Sequence, residues 1–266
     1  MSEVRTHAVQ RQLYLGRKLP LGRPDDGTWI TEHAAAQALR RPAAEIPGLR
    51  VETLRIGPAP LEPVSQSAVR PPAGALPPGP LRIEATLTAS TGQPLPHTAE
   101  QLRTTLLNTA AEQLGLPTVA VDLRVTDLLE GPEANARART PDQAVSPPPE
   151  MTPARSSPSG GGVKSLWGRN EELADAAAAV AGVARLTAVL GNRPVTVEHR
   201  DHPPGRHIQV QLAVAPGHHP LDVARAVRAA VSKAATRDTP GPATVTVLIT
   251  ETAANPGANG TSTLRA

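Results

Sequence analysis

Between His207 and Val231 the apolar pattern changes its period, and that change limits what the chain can become more than any other stretch. Ile208, Val210, Leu212 and Val214 alternate with mostly polar residues, the period of a strand with one buried face. A break follows at Ala215-Pro216-Gly217. Pro220 then opens a run with apolar side chains at Leu221, Ala224, Val227 and Val231, the spacing of one helix face. The same figure stands earlier: Leu81, Ile83, Ala85 and Leu87, a break at Thr91-Gly92-Gln93-Pro94, then Leu95, Ala99, Leu102 and Leu106. A strand feeding a helix is used twice, so the sequence reads as one module repeated.

The elements around each copy fall in the same order. Thr28 is placed to cap a helix over 29–41 with Ile30, Ala34, Ala38 and Leu39 inward. Pro42 should end or kink that helix, since it lacks an N–H and clashes one turn back. Ile46-Pro47-Gly48-Leu49 turns into a strand over 51–56, and the proline-dense stretch 57–80 reads as a flexible or polyproline-like insertion. A strand over 81–89, a helix over 96–114 begun at Pro96 and stopped at Gly115, and an alternating strand at Val119, Val121, Leu123 and Val125 complete the first copy. In the second, Asn170 caps a helix over 171–181 and Gly182-Val183 takes the place of Gly48-Leu49. Strands over 194–200 and 207–215, a helix over 220–236 and a strand over 243–250 follow.

The predicted fold class is therefore α+β: two small α-β-β-α-β modules, at 28–129 and 170–252, each a three-stranded sheet with two helices. Residues 1–27 form an N-terminal arm, a short helix or extended segment docked on the first module. The Pro/Gly/Ser-rich linker 130–169 and the tail 253–266 carry too little apolar surface to offset their ordering entropy and are expected to be disordered.

With no Phe, one Tyr and two Trp, the cores must be built from Ala, Val, Leu and Ile, which bury less area per position and favour thin domains. The formal net charge is +3, and the sequence pI near 9.9 reflects arginines that stay protonated and does not by itself indicate a nucleic-acid partner. The absence of cysteine excludes disulfides, thiolate zinc sites and a cysteine nucleophile. Residues 1–11 are charged and lack the apolar run of a secretory signal. The longest apolar stretch, 173–184, is mostly alanine and interrupted by Asp175, too weak to span a bilayer. The expected location is the cytoplasm, with any membrane association peripheral.

Histidines are the densest chemical cluster: His199, His202, His207, His218 and His219, with Asp201 among them. In the strand reading they fall at opposite ends of one strand, about 30 Å apart. One metal cannot reach both ends, so no metal site is assigned. Gly160-Gly161-Gly162-Val163-Lys164-Ser165 differs from a phosphate loop because Val163 separates glycine from lysine and a linker, not a strand, precedes it. No G-x-G-x-x-G, G-x-S-x-G or H-E-x-x-H occurs, so no catalytic residue, cofactor or small-molecule substrate is assigned and the protein is not expected to be an enzyme. Nucleic-acid binding is the alternative reading. It rests on a basic patch on the second helix of the second copy, Arg225, Arg228 and Lys233, with Arg237 nearby. It lacks the strand aromatics that sheet-based RNA readers stack on bases.

Particular residues also resemble the alkaline shock protein family of bacterial general-stress and envelope-stress proteins, in a tandem, divergent form of the actinobacterial type. In the second copy these are Ala177-Ala178-Ala179-Val180-Ala181-Gly182-Val183, then Ile208-Gln209-Val210-Gln211-Leu212-Ala213-Val214, Gly217, Val223-Ala224-Arg225-Ala226-Val227 with Val231, and Val245-Thr246-Val247. In the first they are Ile46-Pro47-Gly48-Leu49 and Val121-Asp122-Leu123-Arg124-Val125-Thr126-Asp127. The resemblance implies a non-enzymatic scaffold or accessory protein near the cell envelope that self-associates or is recruited by a membrane partner, with no catalytic residue to carry over. The two copies, the early proline in the first helix and the insertion at 57–80 depart from the family's pattern.

Overall fold

The computed structural model describes residues 15–60, 64–129, 164–191, 193–201, 204–238 and 242–252. The expectations for 1–14, 130–163 and 253–266, including the glycine triplet, most of the linker and the tail, lie outside the described residues, as does His202. The fold is mixed α+β, with nine strands and four helices among the described residues. Strands β3 (Leu49–Pro58), β4 (Leu81–Ser90) and β5 (Thr118–Leu129) form a three-stranded sheet in that order. A six-stranded sheet contains β1 (Lys18–Leu21), β2 (Thr28–Thr31), β9 (Ala243–Thr252), β8 (Pro204–Val214) and β6 (Val183–Leu186), with β7 (Val195–Asp201) also paired to β8. Helices α1 (Glu32–Ala43), α2 (Leu95–Asn108), α3 (Lys164–Ala178) and α4 (Pro220–Asp238) complete it.

Both strand-to-helix figures form as the pattern change requires. In each sheet an antiparallel pair is followed by a helix that crosses to a parallel strand: β3 against β4, then α2, then β5 beside β4; β6 and β7 against β8, then α4, then β9 beside β8. The helix expected over 96–114 is α-helical only to Asn108. A π-helical turn, Thr109–Leu114, follows before left-handed Gly115 ends it.

The expectation of three strands per sheet fails for the second sheet, for two reasons. First, the segment expected to open the first helix is a strand. Thr28, Trp29, Ile30 and Thr31 are β-branched or aromatic, side chains that pack well on a pleated surface, and they pair in parallel with β9 through Thr28↔Val247, Trp29↔Leu248 and Ile30↔Ile249. The cap moves to Thr31, whose Oγ1 accepts from the Ala34 N–H at 3.3 Å. Pro42 sits in the last turn and α1 ends one residue later. Second, β6 and β7 share one side of β8, separated by an excursion over 187–194. Buried Gln211 holds that excursion: its Oε1 accepts from the Leu190 N–H and its Nε2 donates to the Leu190 carbonyl, both at 2.8 Å.

The described part of the arm forms β1. β1 pairs antiparallel with β2 and so extends the sheet built mainly from the second half of the chain. Beyond β3, the described residues of the proline-rich stretch are irregular and anchored to that same sheet. Ala68 N–H donates to Pro24 O, Leu76 N–H to Lys18 O, Trp29 Nε1 to Leu76 O and Thr246 Oγ1 to Arg70 O. Val69 packs with Trp29 and Leu248. The apolar run Val247-Leu248-Ile249 is explained by this arrangement, because β9 is buried on both faces. α4 covers one face and the proline-rich segment the other.

The sheets share one core. Buried side chains from both sheets and from all four helices join in a continuous cluster, and α1 lies against both β3 and β9. Leu221, at the start of α4, is inserted between Gly22 and Gly115, whose backbones are joined by a 3.0 Å hydrogen bond from Gly22 N–H to Gly115 O. Buried Glu32 ties the arm to β3, its carboxylate accepting from the Arg17 and Ile56 N–H groups.

Candidate association surface

An edge strand presents unpaired backbone groups that a fold must cover, charge or pair. The chain itself covers two of its edges. On β1, Leu76 N–H donates to Lys18 O, Lys18 bridges to Ala75, and buried Lys18 Nζ donates to Ala73 O at 2.6 Å. Burial lowers the pKa of that ammonium. On β3, Arg40 donates to the carbonyls of Val51 and Glu52, and Ile56 N–H is taken by Glu32.

β5 is the other edge of the three-stranded sheet and has β4 as its strand neighbour on one side only, among the described residues. Its alternation puts Val121 into the core and leaves Leu123 partly buried against it. Val119, Val125 and Leu128 remain 55%, 39% and 45% exposed, which makes β5 the main concentration of exposed large apolar side chains among the described residues. The register shifts between Leu87 and Thr88, so the ladder is interrupted after Val125 by a bulge at Thr126 and resumes with Thr88↔Asp127. Arg103 Nε lies 3.5 Å from Val121 O, and the Asp127 carboxylate accepts from Leu128 N–H.

The face of this sheet away from the core is polar. Asp122 lies there, 3.2 Å from Arg82, which also pairs with Glu84. Thr53 and Thr86 share a hydroxyl hydrogen bond of 2.6 Å, and Thr88 and Thr126 both donate to Glu52. Those two hydroxyls hold the Glu52 carboxyl below its ordinary pKa.

The four residues of the basic patch are divided. Arg225 donates through Nε and Nη2 to the two carboxylate oxygens of Asp26, both at 2.9 Å, and Arg228 Nη1 donates to Asp25 O at 2.6 Å. Both guanidinium groups thus hold the 23–27 turn against α4, beside a shallow hollow lined also by Ala229 and Ser232. Asp26 raises the Arg225 pKa by its hydrogen bond and charge. Lys233 and Arg237 are exposed farther along the helix, about 80° to 120° around the axis from Arg225. The structure does not bring the four onto one face.

The histidines are likewise separated. His199 is exposed on β7, His207 is buried with Nδ1 3.1 Å from Thr244 Oγ1, and His218 and His219 lie in the turn before α4, with His219 Nδ1 3.5 Å from Asp222. Among the described residues no group of three or more potential ligands is placed to hold a metal. No described helix is long and apolar enough to cross a membrane. The chain matches no family model and no curated protein.

Sequence reasoning singled out α4 and passed over the edge of β5. The alternation of Val119 to Val125 is legible as a half-buried strand; whether such a strand lies in the middle or at the rim of a sheet is fixed by pairings distant in the chain.

Proposed function

We propose that this protein works by protein association, as a non-enzymatic scaffold or accessory factor, with the β5 edge as the surface that engages its partner. The observation that carries this reading is on β5, which combines a rim position with exposed Val119, Val125 and Leu128, even though Arg103 and Asp127 engage single backbone groups there as other groups do on β1 and β3. Strand addition to such an edge gains main-chain hydrogen bonds along its length and buries the exposed side chains on alternate positions.

The resemblance to alkaline shock proteins points the same way, toward a cytoplasmic protein that reaches a membrane only through a partner and takes part in envelope stress. The shared order of an antiparallel pair, a helix and a parallel strand supports reading the halves as two divergent copies of one module. Arg225 and Arg228 are already engaged by Asp26 and Asp25, which weighs against nucleic acid as the partner.

Light scattering on the chromatographed full-length chain, at low and moderate salt and with and without nucleic acid, tests this reading. A defined oligomer, or a compact monomer that ignores nucleic acid and is captured by another protein, supports it. A monomer that shifts to a larger, salt-sensitive species with DNA or RNA overturns it in favour of the arginine helix.

A further inference from the structure

We infer that the partner at the β5 edge is a second copy of the same chain, its β5 running antiparallel about a two-fold axis through Leu123. The inference rests on the association reading above. Charge and shape alternate along Val121-Asp122-Leu123-Arg124-Val125, the regular stretch before the bulge at Thr126, in a way that fits a copy of itself.

Asp122 and Arg124 are two residues apart on one strand, so their side chains share the polar face of the sheet. Both are exposed. Antiparallel pairing centred on Leu123 sets each Asp122 opposite the other copy's Arg124, twice over by symmetry, and sets Val121 opposite Val125 on the apolar face. Exposed Val125 is then covered by a residue of its own kind. Centring the axis on Asp122 or on Arg124 places like charges against each other. Centring it on Val121 or Val125 leaves both charges opposite uncharged residues. Among these five registers only the one at Leu123 matches both charge and apolar character. Asp122 sits 3.2 Å from Arg82 of its own chain, and it keeps a lone-pair direction for a second guanidinium. Arg103, whose Nε donates to Val121 O, gives up that hydrogen bond to the incoming strand.

Five paired residues on each side make a small interface, so a reversible dimer with a dissociation constant in roughly the micromolar range is expected. The test is sedimentation of the full-length chain across that range, for the parent, Asp122→Arg, Arg124→Asp and the double exchange. Each single reversal creates two like-charge pairs and should weaken the dimer by about tenfold or more, and the double exchange should restore it. A second readout uses the absence of cysteine: Leu123→Cys carries the only thiol and should form a disulfide-linked dimer under mild oxidation faster than Lys233→Cys. An oligomer indifferent to all these changes overturns the two-fold pairing and leaves association intact through another surface. A monomer at every concentration that captures a different protein through β5 also overturns it, as does one whose β5 amides are protected from exchange without any partner, the edge then being covered by the chain itself. A monomer that binds only nucleic acid removes the association reading as well.

Discussion

Arg225 and Asp26 form a two-pronged ion pair, Nε and Nη2 each 2.9 Å from a carboxylate oxygen, between residues 199 positions apart. The pair fixes the turn after β1 to α4, and with it the strands that extend the larger sheet. Burial raises the Asp26 pKa, but the hydrogen bonds from Arg225 and the Arg23 N–H, with the charges of Arg225 and Arg228, outweigh it and hold the carboxyl below 3.8. Because the folded value is depressed, the contribution is fully present above the unfolded value and is lost as pH falls through the folded one. Asp26→Asn should cost about 0.5–1 kcal/mol at neutral pH, since Arg225 is partly exposed, and its deficit relative to the parent should shrink in acid below that range. Urea titrations at neutral and strongly acidic pH measure both.

Gly115 is required twice over. Its φ of 78° lies in the left-handed region, and a Cβ there would sit 2.8 Å from Leu221 Cδ2 and 3.0 Å from Leu221 Cβ. Gly115→Ala should therefore destabilise by more than the roughly 1–2 kcal/mol of backbone strain alone. Gly217 has a similar φ of 76° with nothing near its missing Cβ, so Gly217→Ala should show the strain without the clash. Comparing the two variants by thermal unfolding isolates the contribution of Leu221 docking. Equal losses would mean that Leu221 simply moves aside.

Much of the architecture was legible because it is local. The passage from Val214 through Gly217 to Leu221 shows its change of period within a few residues, as does that from Leu87 to Leu95, and Gly115 stops its helix where expected. What was not legible depends on distant partners. Thr28 looks like a cap until Val247 is known to lie beside it, and Thr31 can do the same work three residues later. The 57–80 stretch looks like solvated polyproline because its anchors, Val69 and Leu76, are isolated among prolines and find Trp29 only in three dimensions. Val247-Leu248-Ile249 does carry a signal of the second covered face, since it has no polar alternate and a sheet open on one face would not tolerate that. At the candidate surface, the residues of β5 could be read from the sequence, but its position at the rim could not. The arginines of α4 were found, but the acidic turn that engages them lies almost the whole chain away.

Gln211 is a buried amide whose two ends hold the backbone of Leu190 from across the sheet. Gln211→Met keeps the length of the side chain and removes both partners, leaving a donor and an acceptor of Leu190 unsatisfied. The expected loss is about 1–3 kcal/mol. Amide exchange at Leu190 should accelerate more than exchange at Val210 in the neighbouring ladder. If both accelerate equally, the loop is not held locally and the loss reflects global unfolding.

The shared core makes a last prediction about cooperativity. Val247 is fully buried on β9, faces the common cluster and pairs across the strand with both Val210 and Thr28. Val247→Asp places an unpaired carboxylate there and should cost more than about 4 kcal/mol. Were the chain two independent modules, as its sequence pattern suggests, the damage would stop at the second and the first would melt normally. Because β2 sits on β9 and α1 rests against both β9 and β3, the damage should instead spread to the three-stranded sheet. Amide protection at Ile83 and Leu87, at the centre of β4, is the decisive readout: it should collapse together with that at Val210 in the variant. Retained protection on β4 would show that the first sheet stands without the second.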